Sequence, residues 1–229
     1  MGKPGRGLAV TLGVLAVLLS WLTAVPLAHE FNGLAPGDLP WAPDAWSAAY
    51  DGVYRAVGVP LGLSPYYFWG KPAFLLYAVA LLLAWRLPVT PGRWSRAGLG
   101  LLRVVLVVGL VADVAGYWGG WGSPEMTPLT GYAFSYAEVW ALLLLPVALL
   151  LLGVGHVRDR VRPRWSAWCL VAAGLLTLPF GFLVLGYAPH GVLLPVLVGL
   201  VLAVAADPCP GRAAGLECEA SPVEEATHD

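Results

Sequence analysis

From Gly7 to Ala28 the chain carries no charged side chain, and five further long apolar stretches follow it. Runs of this length are what a helix needs to cross the hydrocarbon core of a bilayer. In a bilayer every backbone N–H and C=O must find its partner inside the segment, so each run is expected to be a helix. The spacing predicts six spans, at about 8–28, 72–88, 98–118, 136–155, 165–187 and 190–206. The expected fold is therefore an all-α bundle of six transmembrane helices. Composition agrees: 59% of residues are hydrophobic and 12% charged, where a soluble domain carries about 25% charged residues. A cleaved signal peptide is the rival reading of the first run. Its length, and Pro26 at the −3 position of a cut after Ala28, favour a retained helix.

The connections differ in charge. Lys3 and Arg6 precede the first run; Arg86, Arg93, Arg96 and Arg103 follow the second; Arg158, Arg160, Arg162 and Arg164 follow the fourth; Arg212 follows the sixth. Of the 13 basic residues, only Arg55 and Lys71 fall on the opposite side. The positive-inside rule then puts both termini in the cytoplasm of a multi-pass cell-membrane protein. Of the nine tyrosines, all but one lie at or beyond the predicted outer boundary, as an interfacial belt requires.

The longest connection, 29–71, is outer by this rule. Its Pro/Gly-rich start reads as irregular chain. From 44 to 57 the aromatic residues recur at helical spacing: Trp46, Tyr50 and Tyr54 join Val53 and Val57 on one side, opposite Asp44, Ser47, Asp51 and Arg55. A short amphipathic helix lying in the membrane interface is expected there, and Lys71 is expected to snorkel to the headgroups. Residues 207–229 form a polar, mostly acidic stretch without periodicity, read as a disordered cytosolic tail.

Asp113 is the residue that asks for an explanation. It lies about 7 Å of helical rise inside the end marked by Trp118, where an acid is costly unless something offsets it. Tyr117 shares its face one turn on, and Gly109, Ala112 and Gly116 form a neighbouring stripe that lets another helix approach closely. Asp113 should therefore face the bundle, either as a proton-handling or ligand-binding carboxylate or as a structural acid. Glu138 begins the fourth span on the same side; Ser135-Tyr136-Ala137-Glu138 fits a capping box, and that role is favoured for it. His190 opens the sixth span, and His29 and Glu30 end the first, where boundary residues are most often interfacial.

The candidate polar cluster is thus Asp113, Tyr117, Glu138, His190, His29 and Glu30. The residues come from separate places with no paired metal-ligand spacing, so no metal site is assigned. No nucleotide, flavin, hydrolase or CxxC motif occurs, and the cofactor is left unknown. Cys169 reads as a small buried hydrophobe. The bilayer is the evident partner, with other membrane proteins as further partners and no nucleic acid. The leading expectation is a non-catalytic accessory or assembly component. The alternative is a membrane-embedded enzyme acting on a lipid or quinone-like substrate from the outer leaflet through Asp113, Glu138 and His190. A small proton-coupled transporter is the third reading.

Overall fold

The structure, a computed structural model, describes residues 5–32, 44–119, 131, 133–161, 163–184 and 188–206. The expected tail at 207–229 and the irregular stretch 33–43 lie outside them. The described residues are mostly helical, joined by short turns, with no strand among them. In chain order the helices are α1 (Arg6–Asn32), α2 (Asp44–Val53), α3 (Pro65–Gly70), α4 (Ala73–Arg86), α5 (Arg93–Trp118), α6 (Val139–Arg158), α7 (Arg164–Pro179), α8 (Ala188–Gly191) and α9 (Leu193–Ala206). Wider π-helical turns continue α2 over Tyr54–Gly58, precede α6 over Ala133–Glu138 and extend α7 over Phe180–Val184.

Among the described residues, five stretches are long and apolar enough to cross a membrane: Arg6–Ala28, Pro65–Arg86, Arg93–Trp118, Tyr136–Arg158 and Arg164–Val184. The chain is an all-α polytopic membrane protein. The second stretch starts at Pro65 because α3 runs into α4. The sixth, α9, has 14 residues, about 21 Å at helical rise against a hydrocarbon thickness of about 30 Å. It is apolar on all sides and buried along most of its length, as suits a helix enclosed by protein.

The helices form a closed ring in which α1 packs on α4, α4 on α5, α5 on α6, α6 on α7, α7 on α9 and α9 back on α1, with α9 also reaching α4. Small residues set how closely they pack. A Cβ on Gly98 would lie 2.3 Å from the Leu152 backbone nitrogen, and one on Gly155 would lie 2.4 Å from that of Ser95. Here α5 and α6 touch backbone to backbone, which dispersion alone favours in a bilayer. Outward faces carry large apolar side chains such as Val104, Val111, Trp168 and Leu183.

At the arginine-rich end the loop before α5 is stapled to the end of α6. Thr90 Oγ1 and Ser95 Oγ both donate to Asp159 Oδ2, the latter at 2.7 Å. These bonds hold the Asp159 carboxyl below the usual carboxylate range, the Thr90 bond most strongly, against a smaller opposing effect of burial. Just beyond it, Val161 N–H bonds to His156 O at 3.0 Å and Arg160 N–H to Val157 O at 3.3 Å. With Arg160 at φ 54°, this is a Schellman C-cap. Asp159→Ala is expected to lower stability by about 1 kcal/mol. Because the native carboxyl is the stronger acid, its contribution is present above the unfolded value of about 3.9 and lost as pH falls through the lower native value. Melting curves of the two proteins should therefore converge on acidification below about pH 4, and a constant gap would show that the bonds do not depend on charge.

The opposite end is closed by aromatic residues. Pro26 inside α1 has no N–H to give the Leu22 carbonyl. The Tyr50 hydroxyl takes its place, donating to Leu22 O at 2.6 Å, and burial pushes this phenol up. Tyr50 stacks on Trp46 and meets Trp69 edge-on, so α2 and α3 are held over the end of α1. Val53 and Val57, on the same helix, are exposed. Lys71 does not snorkel outward. It is buried, donates to Tyr117 O at 2.7 Å and lies 4.6 Å from the centre of the Trp118 ring. A cation there caps the negative end of α5, and Trp118 Nε1 returns a bond to Lys71 O at 3.2 Å.

Candidate functional site

The capped end of α5 fixes the face that carries Asp113. Gly109, Ala112, Asp113, Gly116 and Tyr117 are all buried, so the small-residue stripe does face the bundle. Two glycines clear room for the rings around it. A Cβ on Gly109 would lie 2.3 Å from the Tyr77 ring, and one on Gly70 would lie 1.9 Å from that of Tyr117. Tyr77 reaches the site from α4, one turn below Asp113, while Tyr117 lies one turn above.

Glu138 arrives from the π-helical turn Ala133–Glu138. The helix is already running when it reaches Glu138, whose side chain makes no cap bond. Glu138 Oε1 makes no hydrogen bond among the described residues, against the capping role expected from the sequence, and the Ser135 side chain of that pattern lies outside them. Tyr136, Val139 and Trp140 on either side are well exposed, whereas Glu138 is 1% exposed. The carboxylate points into the protein while its neighbours face out. His190 sits on the single-turn helix α8, between α1 and the turn Phe180–Val184. Its carbonyl accepts a bond from Ser20 Oγ at 3.5 Å. Expected at an interface, it is instead completely buried, because this short helix dips into the ring before α9 begins.

These placements bring Asp113, Glu138 and His190 together, with one ligand-type atom of each within 4.8 Å of the others. His190 Nε2 lies 3.6 Å from Asp113 Oδ1, too far for a direct hydrogen bond and close enough for one small bridging species. The Tyr117 ring meets the imidazole edge-on at 5.3 Å, and its hydroxyl bonds that of Tyr66 at 3.0 Å. Among the described residues, both Asp113 oxygens, Glu138 Oε1 and the Tyr77 hydroxyl have no hydrogen-bond partner. Of the remaining candidates, Glu30 is exposed at the end of α1, and the side chain of His29 lies outside the described residues.

Two ionised carboxylates this close, at an effective dielectric of 20, repel by at least about 3 kcal/mol. Because both are buried, the negative charge has to be balanced within the site, by a proton, an imidazolium or a cation. Such a cluster can hold a cation, exchange a proton or grip the polar group of a bound molecule. Tyr77 was not among the residues singled out by sequence. It was nevertheless visible there, as the one tyrosine placed away from the outer boundary.

Fold and site together define a polytopic all-α membrane protein with a buried carboxylate–imidazole cluster at its arginine-poor end. Comparison of the chain with protein families, with curated proteins and with solved structures finds no match.

Proposed function

We propose that this chain is a membrane-embedded enzyme that acts on a lipid or quinone-like substrate through Asp113, Glu138 and His190. The distribution of basic residues supports a site in the outer half of the cell membrane, with both termini in the cytoplasm. One observation carries the reading: three ionisable side chains from three separate elements converge at one buried point. A purely structural subunit gains little from that arrangement, because each such group is costly to bury. The surroundings suit the substrate class. Tyr66, Tyr67 and Tyr117 form a connected set of rings beside the cluster, and such surfaces favour amphipathic or planar groups. π-helical turns at the ends of two neighbouring helices add to the case, since these irregularities are frequent at functional sites. The transporter reading has less support: Thr177 in α7, a polar candidate for an inward path, already donates to Ala173 O of its own helix at 2.5 Å.

The reading is tested by infrared difference spectroscopy on the protein in liposomes, with ubiquinone, menaquinone or a polar-lipid extract added in turn. At least one addition is expected to perturb a side-chain carboxyl band, and Asp113→Asn should remove that change. Identical spectra for both proteins with every addition would favour the accessory role instead.

A further inference from the structure

The geometry points to a divalent transition-metal site of the zinc class, with Asp113, Glu138 and His190 as its ligands. This deepens the proposed function and rests on the same three residues, but it stands on separate observations. Two carboxylates and one imidazole offer oxygen and nitrogen donors of the kind zinc and its neighbours accept. A dication cancels the two negative charges while leaving the imidazole neutral, which removes the repulsion that otherwise burdens the site.

The spacing fits. Ligand atoms about 2.1 Å from a tetrahedral ion lie about 3.4 Å from one another. His190 Nε2 and Asp113 Oδ1 are 3.6 Å apart. The widest separation in the trio is no more than 4.8 Å, a difference that a modest rotation of one carboxylate closes. Calcium, which takes six to eight oxygen ligands, and magnesium, which keeps several waters, are both poorly served by three protein donors in a closed space.

Tyr77 is the independent pointer. Its hydroxyl is fully buried and has no hydrogen-bond partner among the described residues, and its ring lies against Gly109, one turn from Asp113 on α5. The bare trio gives this phenol nothing to bond, whereas a metal-bound water or a rotated carboxylate oxygen supplies an acceptor. Orienting partners of this kind are regular companions of metal ligands. Gly109 holds the ring in place, since any side chain there would displace it.

The test is titration of chelator-stripped protein in detergent with Co2+, followed by visible absorption, and displacement by Zn2+. One Co2+ per chain with the strong bands of a low-coordinate site is expected. Asp113→Asn and His190→Gln, checked for helicity and a single monodisperse species, should each weaken binding about 100-fold or more, and Tyr77→Phe about 10-fold. Absence of Co2+ binding, or binding unchanged in both ligand variants, would overturn the assignment. Should the variants fail to fold, X-ray absorption at the zinc edge of the wild-type protein decides. Nitrogen and oxygen ligands including an imidazole support the site, and sulfur ligands would move the ion to the cysteines and refute it. Metal binding without any carboxyl response to quinone or lipid would sink the substrate reading alone. A response without metal binding would sink the metal alone.

Discussion

Gly98→Leu is expected to cost the bundle at least about 3 kcal/mol, the upper part of the range for overpacking. The first added carbon alone would fall 2.3 Å from Leu152 N, 2.8 Å from Leu152 Cα and 2.9 Å from Leu151 C. All three are backbone atoms, so no rotamer change relieves the clash, and α5 must move off α6. The reciprocal contact of Gly155 with Ser95 lies in the same interface, so both ends of the approach are lost together. Asp113 is carried by α5, about 22 Å along the helix from Gly98, and Glu138 leads directly into α6. Opening this interface therefore also spreads the cluster. The control is Gly100→Leu, because Gly100 has nothing within 4 Å of a built Cβ and stands on the exposed face. Unfolding in mixed micelles, followed by helicity against the mole fraction of SDS, should separate the two variants clearly. Equal midpoints would mean that α5 and α6 do not meet through Gly98.

The sequence reading succeeded where one element could be judged by itself. The long apolar runs predict an all-helical membrane protein, and Gly109, Ala112 and Gly116 correctly point Asp113 into the bundle. It failed where a side chain's fate depends on a distant partner. Glu138 matched a local capping pattern, yet the preceding π-helical turn lets the helix begin earlier and turns the carboxylate inward. His190 looked interfacial because it follows Pro189 at an apparent helix start, and nothing local shows that α8 dips into the ring. Lys71 was expected to reach headgroups, but the end of α5 presents a carbonyl and an indole that hold it inside. The need of the Leu22 carbonyl for a new donor was legible in Pro26. That Tyr50 meets the need was not, since it depends on how the chain returns between α1 and α2.

The second large effect concerns the cluster and separates cost from use. Removing His190 alone, as His190→Leu, takes away an imidazole that can oppose the two carboxylates while leaving both sealed from water. Breaking a buried charged set in this way is expected to cost about 3–5 kcal/mol in protein stripped of metal. Replacing the whole set, as Asp113→Leu, Glu138→Met and His190→Leu together, removes the charges along with the need to balance them. That triple variant should come within about 1 kcal/mol of the wild type or exceed it by up to about 4 kcal/mol. The triple variant and the wild type are therefore both expected to be more stable than the single variant, the reverse of what loss of favourable contacts would produce. Adding Zn2+ at 100 times its dissociation constant should raise the wild type by about 2.7 kcal/mol and leave the triple variant unchanged. Were the triple variant no more stable than the single one, the three side chains would be held for their packing, and the case for a charged centre at this end of the bundle would fail.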